Sequence, residues 1–428
     1  MIANADKVID YLKGFTFSEN DNLTLFPTDN DTIVEQVDIN GVKVDKYINE
    51  YWTSKQRKSS SIHEISYRAC FKAQLPRFFI NLLTEPGDMV YDPFSGRGTT
   101  VIEAGILDRK VISNDINPLS KIVTRPRLAI PAFIDIEKRI DEIPLLKGVK
   151  ADIDLSMFYH PETEAEIVSI KQYLNERCDT GQEDDIDRWI RMVATNRLTG
   201  HSTGFFSVYT LPPNQAVTQE SQIKINIKRN QKPEYRDVKR IIKRKTSTLL
   251  NKLKVDELRN LRRAAKTALF IEKDARETDE IKDNTVSLTV TSPPFLDIVQ
   301  YSKDNWLRCW FNSIDTESIE KKLTMSKKVE AWSIVMGAVF KQLYRMTKPG
   351  GWVAFEVGEV RNGKINLEEY VIPLGAEVGF GCLGVIINLQ EFTKTSNIWG
   401  IKNNNFGTNT NRIALFQKQT KNVRGTGV

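Results

Sequence analysis

The stretch DMVYDPFSGRGTTVIEAGILDRKVISNDINPL, residues 88–119, reads as strand, glycine turn, helix and second strand in one run. MVYD is short and apolar, TTVIEAGIL has helical spacing, and KVISND returns to a strand. In the turn Asp92–Thr100, Gly96 and Gly98 permit positive φ and close backbone approach. The helix start beyond them offers free N–H groups and the positive end of a dipole. No Lys follows the glycines, so this is not a Walker A loop. Val101 stands where a dinucleotide fingerprint has its third glycine, which speaks against an NAD-dependent dehydrogenase. A purely structural turn is the other reading. Asp115 ends the second strand, where an acidic side chain accepts from both ribose hydroxyls of a nucleoside cofactor. The alternative is a capping or turn Asp before Asn117-Pro118.

Outward from this unit, QLPRFFINLLTEPG predicts a helix from Gln74 that stops at Pro86-Gly87. Residues 1–59 read as a polar extension with short strand-like pieces. From 131 to 267 the texture is mainly helical and charged, as in TEAEIVSIKQYLNERC, around the Gly- and aromatic-rich GHSTGFFSVYTLPPNQAV. After 268 the α/β rhythm resumes with ALFIEKDA, NTVSLTVTSPPF, a helix through SIVMGAVFKQLYRM, then WVAFEVG, a helix near LEEYVIPLGAEVGF, and the closing strands LGVIINLQEF and RIALFQK. The fold class is therefore α/β, a mostly parallel sheet interrupted after its second strand by the segment 131–267.

TVTSPPFLDIVQ, residues 289–300, ends a buried-looking strand with two prolines that cannot donate to a ladder. The carbonyls of Ser292 and Pro293 are thereby freed, and with the Ser292 hydroxyl they can accept both hydrogens of an exocyclic NH2 group. Phe295 can stack on a planar base. A structural Pro-Pro turn is the bland alternative, and it loses weight beside a nucleoside-type site upstream.

Composition bounds the rest. The 428 residues carry 40% hydrophobic and 27% charged side chains, and no run of about 18 apolar residues exists. With no basic-then-apolar N-terminal signal, a cytoplasmic location is expected and no membrane partner. Cys70, Cys178, Cys309 and Cys382 are scattered without CxxC spacing, and the three histidines are His63, His160 and His201, so no metal site is expected. The net charge is +6, yet Ser221–Lys266 alone holds 16 Lys and Arg against 4 Asp and Glu. Such a local surplus suits a polyanion, or a solvated helix surface.

DPFSGRGTT with NDINPL, KDARE and TSPPF resembles the S-adenosylmethionine-dependent amino-methyltransferases of DNA. The Ser-Pro-Pro-Phe form resembles the cytosine-N4 branch found in type II restriction–modification systems. The resemblance covers roughly residues 60–125 and 268–418. It implies a Rossmann-like class I methyltransferase fold with a seven-stranded, mostly parallel sheet and an antiparallel last hairpin strand. It implies that Asp92, Phe94, Gly96 and Gly98 line the methionine end of S-adenosylmethionine, that Asp115 binds the ribose, and that Asp274 and Ala275 meet the adenine. Phe71 and Lys72 fall in the segment that resembles the family's contact with the methionine carboxylate. Ser292, Pro293, Pro294 and Phe295 would be catalytic, with Tyr301 and Asn305 near the pocket. The parts are then 60–130 (cofactor half), 131–267 (target recognition) and 268–428 (target-base half).

In the insertion His201, Tyr209, Asn214 and Gln215 would meet base edges. Lys228, Arg229, Arg240, Lys243, Arg244 and Lys245 would meet phosphates of double-stranded DNA. The implied reaction is direct methyl transfer to the N4 amine of a flipped cytosine, protecting against a cognate restriction endonuclease. No cysteine follows a proline, which argues against cytosine-C5 chemistry. Adenine-N6 methylation, an RNA amino-methyltransferase and a non-catalytic DNA-binding regulator are the alternatives.

Overall fold

The computed structural model describes residues 4–16, 31–52, 60–67, 70–212, 216–294, 301–317, 319, 328–360, 365–389 and 411–420. Helix α1 (Ala5–Lys13) begins at Asn4, whose side chain caps the Asp6 N–H. Strands β1 (Ile33–Ile39) and β2 (Val42–Asn49) form a hairpin through Asn40-Gly41, both in the left-handed region. Helix α2 (Gln74–Leu83) precedes β3 (Met89–Asp92), α3 (Thr99–Ile106), β4 (Lys110–Asn114) and α4 (Pro118–Thr124). The insertion supplies α5 (Phe133–Glu142), α6 (Pro161–Asp179), α7 (Asp185–Arg197), α8 (Gln219–Arg229), α9 (Val238–Leu250) and α10 (Val255–Ala265). Then come β5 (Leu269–Ile271), β6 (Val286–Thr291), α11 (Tyr301–Phe311), α12 (Val329–Met346) and β7 (Thr347–Val357). A two-residue pair β8 (Glu359–Val360) and β9 (Ile365–Asn366), α13 (Glu368–Glu377), β10 (Phe380–Asn388) and β11 (Asn411–Lys418) complete the described chain.

The main sheet runs β1-β2-β10-β11-β7-β6-β3-β4-β5. Strands β5, β4, β3, β6 and β7 are mutually parallel, and β11 lies antiparallel between β7 and β10. These are the seven strands that the sequence predicts, in a methyltransferase-like α/β order. Two more are added, because β2 pairs in parallel with β10 and carries β1 to the sheet edge. The N-terminal extension is therefore part of the sheet, and Val8 and Leu12 of α1 join its core. Parallel strands covered on both faces need continuous apolar runs, and β6 is buried at all of Val286–Thr291.

The insertion is not a detached domain. Trp189, Ile190 and Val193 of α7 and Ile242 and Leu249 of α9 share one hydrophobic cluster with Val90, Leu288 and Phe79. Its last helix, α10, packs on α3: a Cβ at Gly105 would come within 3.0 Å of Leu261. That helix acts as the crossover into β5, so the sheet domain regains the chain before residue 268.

Candidate active site

From β3 the chain moves outward through β4 to β5, then returns to the other side of β3 as β6 and β7. The strand order reverses there, and such a switch point opens a crevice beyond the carboxyl ends of the strands. The glycine turn leaves β3 and the Ser-Pro-Pro segment leaves β6, so adjacent strands deliver both to that crevice. Two hydrogen bonds fix them to each other. Asp92 Oδ1 accepts from Thr291 Oγ1 at 2.6 Å, and Thr100 Oγ1 donates to the Val290 carbonyl at 3.0 Å.

Within the turn, Gly96 has φ 50° and Gly98 φ 75°. Their roles differ. A Cβ at Gly98 would fall 2.3 Å from the Thr124 side chain, so this glycine lets α3 close against α4. At Gly96 the nearest atom to a Cβ is a Tyr67 ring carbon at 3.7 Å, so here only the backbone conformation demands glycine. Asp115 binds the turn directly: Oδ2 accepts from the Gly96 N–H at 2.8 Å and Oδ1 from the Asn117 N–H at 2.9 Å. Burial pushes its carboxyl up to about 6 against these two bonds. The turn-capping reading of Asp115 is what these bonds show; each oxygen keeps a second lone pair, and the residue is only partly buried.

Asp92 is 1% exposed, and its carboxylate turns inward to Thr291 and the Phe94 N–H. It organises the turn from beneath instead of lining the crevice, which corrects its expected role. Burial pushes it up to about 7. Asp274 is also engaged: its carboxylate takes Arg276 Nε and Nη2 at 2.8 and 2.6 Å, and Ala275 beside it is buried.

The segment before α2 is held by Arg97, the residue between the two glycines. Arg97 Nη1 donates to the Ile65 carbonyl at 3.3 Å and Nη2 to that of Phe71 at 3.2 Å. Arg127, fully buried, donates to the carbonyls of Ile62 and Arg97. Its pKa falls to about 9, through burial and the neighbouring Arg97 charge. The Phe71 carbonyl is thus tied to the turn through Arg97; Phe71 is half-buried and Lys72, next in the chain, is exposed. Behind this segment His63 is buried against Glu103 at 2.5 Å, a structural pairing in the sheet domain.

On the other side of the crevice Ser292 and Pro294 are half-buried and Pro293 is buried. Trp332 Nε1 donates to the Pro294 carbonyl at 3.0 Å and anchors the segment on α12. Phe295 lies outside the described residues. The buried Glu356 carboxyl accepts from Asn411 Nδ2, and the Ser292 hydroxyl is near enough to favour its charged form. Burial pushes Glu356 up to about 7 against both effects. Glu356, Arg97 and Arg127 are not among the residues that the sequence singles out. An acidic residue at the carboxyl end of the apolar strand WVAFEVG was the available signal for the first; nothing local marks the arginines, whose partners are backbone carbonyls. Asn305 is buried and accepts from Arg308 Nη1, whose Nη2 reaches the Ser66 carbonyl. For Tyr301 only its place at the start of α11 is described.

The residues expected to meet DNA are dispersed. His201 is exposed, and Tyr209 lies under the Arg229 guanidinium at 3.8 Å. Asn214 and Gln215 lie outside the described residues. Lys228, Arg240 and Arg244 are exposed, whereas Lys243 pairs with Asp141 at 2.7 Å. Lys245 is a correction: it is buried on the packed face of α9, 3.4 Å from Glu64, because a 3.6-residue period turns it inward with Ile241 and Ile242.

Residues 14–123 match the family N6_N4_Mtase, described as DNA methylase. The type II methyltransferase M.MvaI of Kocuria varians is 24% identical over 298 residues, 63% of this chain and 60% of that protein. The type II methyltransferase M.PvuII of Proteus hauseri is 47% identical over 53 residues, 12% of this chain and 16% of that protein. The chain thus spans less than two thirds of the length of either relative. Among solved structures, the rRNA methyltransferase AviRa of Streptomyces viridochromogenes aligns over 84% of this chain and 89% of its own, at 10% identity and a TM-score of 0.30.

Proposed function

We propose that this protein is a site-specific DNA methyltransferase that transfers a methyl group from S-adenosylmethionine to the N4 amine of a flipped cytosine in double-stranded DNA. The observation that carries the reading is the hydrogen-bonded joining of the glycine turn to the Ser-Pro-Pro segment across β3 and β6. An amine clamp beside a nucleoside crevice serves no purpose in a non-catalytic regulator. The family match and the type II relatives support a DNA amine substrate of the adenine-N6 or cytosine-N4 kind. The Ser-Pro-Pro-Phe sequence favours cytosine. In a cell such an enzyme protects DNA against a cognate restriction endonuclease.

The crevice fits the cofactor on the chemistry of its own groups. Asp115 retains acceptor capacity for ribose hydroxyls, Gly96 brings its backbone close with the Tyr67 ring at van der Waals distance, and Arg97 ties the Ile65 and Phe71 carbonyls to the turn, with Lys72 following. Phe94, Gly96 and Asp115 would hold the cofactor with Phe71, Lys72 and Ala275. When bound, S-adenosylmethionine supplies an electrophilic methyl group.

The chain's own residues handle the amine. Cytosine's amino nitrogen is a weak nucleophile because its lone pair is delocalised into the ring. Ser292 and the Pro293 carbonyl accept its two N–H groups and favour a tetrahedral nitrogen, so positioning and local dipoles lower the barrier. As the new N–C bond forms, the nitrogen must lose one proton. The Ser292 hydroxyl passes it to Glu356, whose carboxylate near pKa 7 is a competent acceptor at neutral pH. Pro294 stiffens the clamp. The base leaves the helix to enter the pocket, and the insertion supports the duplex around it.

The test is incubation with radiolabelled S-adenosylmethionine and plasmid DNA, digestion to nucleosides and identification of the product. 4-Methylcytosine is expected. 6-Methyladenine would replace cytosine by adenine, and label in RNA alone would overturn the DNA assignment. Ser292→Ala is expected to cut turnover far more than cofactor affinity; equal losses in both would remove Ser292 from the amine clamp.

A further inference from the structure

The basic surplus between Ser221 and Lys266 is not one patch once folded. On α10, Arg262 donates to the Ile130 carbonyl and Arg263 pairs with Asp108. On α9, Lys239 caps the carbonyls of Asp141 and Ile143, Lys243 pairs with Asp141 and Lys245 is buried. Helix α8 differs. Lys224 and Lys228 are exposed and form no salt bridge among the described residues. Beside them Ile223 and Ile227 are 44% and 76% exposed. Residues four apart share a helix face, so the two isoleucines and the two lysines form adjoining stripes.

The position of α8 is fixed from the clamp side of the crevice. The Ala216 N–H donates to the Asp304 carbonyl and Trp306 Nε1 to that of Val217, both at 3.1 Å. Asp304 and Trp306 belong to α11, the helix that follows the Ser-Pro-Pro segment. Gln222 donates to the Tyr209 carbonyl and Asn226 to that of Met157, so the opposite face of α8 is bound to the insertion.

We propose that α8 lays the Ile223–Ile227 and Lys224–Lys228 face into the major groove of the duplex beside the extruded base. This rests on the DNA substrate proposed above. The lysines meet phosphates, and the isoleucines meet thymine methyl groups, the apolar feature of that groove. Positive charge along one side of a narrow apolar stripe complements a groove walled by phosphates.

The test uses the full chain, a fluorescent 30-base-pair duplex of mixed sequence in a salt titration, and plasmid methylation. Each phosphate contact contributes about 0.9 to the slope of log affinity against log salt. Lys224→Ala/Lys228→Ala is expected to lower that slope by about 2, and Lys243→Ala to leave it unchanged. Ile223→Ala/Ile227→Ala is expected to reduce plasmid methylation about tenfold at unchanged slope and unchanged affinity for S-adenosylhomocysteine. An unchanged slope in the lysine pair, or full methylation by the isoleucine pair, overturns the assignment. So does a wild-type dimer that the isoleucine changes dissociate, since a second copy would then cover the stripe. If the wild type neither methylates nor binds DNA, the proposed function itself falls. If it does both while the α8 variants are indifferent, only this inference falls.

Discussion

Asp92 and Thr291, 199 positions apart in the chain, meet at 2.6 Å across the carboxyl ends of β3 and β6. The bond joins the turn that follows one strand to the Ser-Pro-Pro segment that follows the other. Thr291→Val keeps the shape and removes the donor. Leaving a buried carboxyl short of a partner costs about 1–3 kcal/mol. Both S-adenosylhomocysteine affinity and turnover are expected to fall, together with the melting temperature. Retention of all three would show that the two halves are held apart from this contact.

Asp92 also sets a pH dependence of stability. Its folded pKa of about 7 lies above the ordinary aspartate value of 3.8. The folded state therefore binds this proton more tightly than the unfolded chain. The stabilisation is fully present below the unfolded value and is lost as pH rises through about 7. Asp92→Asn is expected to flatten the decline in stability between pH 5 and 8, by on the order of 1–3 kcal/mol. Thermal unfolding of both proteins across that range reads the effect, and parallel curves would refute it.

Glu356 makes a separate claim on activity. If its carboxylate receives the proton through Ser292, single-turnover methylation falls as pH drops below about 7. Glu356→Gln is expected to lower kcat about 10²–10⁴-fold, the usual worth of a positioned proton acceptor, and to abolish that acid limb. The cofactor KM should stay within about twofold. A variant that keeps the acid limb assigns the ionisation to another group.

Arg97 positions the segment that stands across the glycine turn. Arg97→Lys keeps the charge but cannot span Ile65, Phe71 and Thr99 at once. The expectation is a cofactor KM raised about tenfold with kcat nearly unchanged, measured by steady-state methylation. A loss confined to kcat would place Arg97 in the chemistry instead.

Gly98 tests the packing of the turn. Gly98→Ala drives a Cβ to 2.3 Å from Thr124 and places Ala at φ 75°. The backbone term alone costs about 1–2 kcal/mol. Combining it with Thr124→Gly removes the clash and leaves the backbone term, so the double variant is expected to recover part of the lost melting temperature. Simple additivity of the two losses would refute the contact.

The sequence by itself determined the elements of the sheet domain and the residue types at its turns. Period-two and helical apolar patterns marked the strands and helices from Gln74 through β4, and again from β5 to β11, because local periodicity records which face is buried. Gly96, Gly98, Asp115 and Ser292–Pro294 announced themselves by residue type at turns where few other residues serve. Only the tertiary structure decided that the N-terminal hairpin extends the sheet, that α10 belongs to the crossover, and which cations of the 221–266 surplus remain on the surface. It alone paired Ser292 with Glu356 and tied Arg97 and Arg127 to distant carbonyls. These pairings join positions tens of residues apart or more, and a backbone carbonyl has no residue identity to read; such contacts exist only once the chain has folded back on itself.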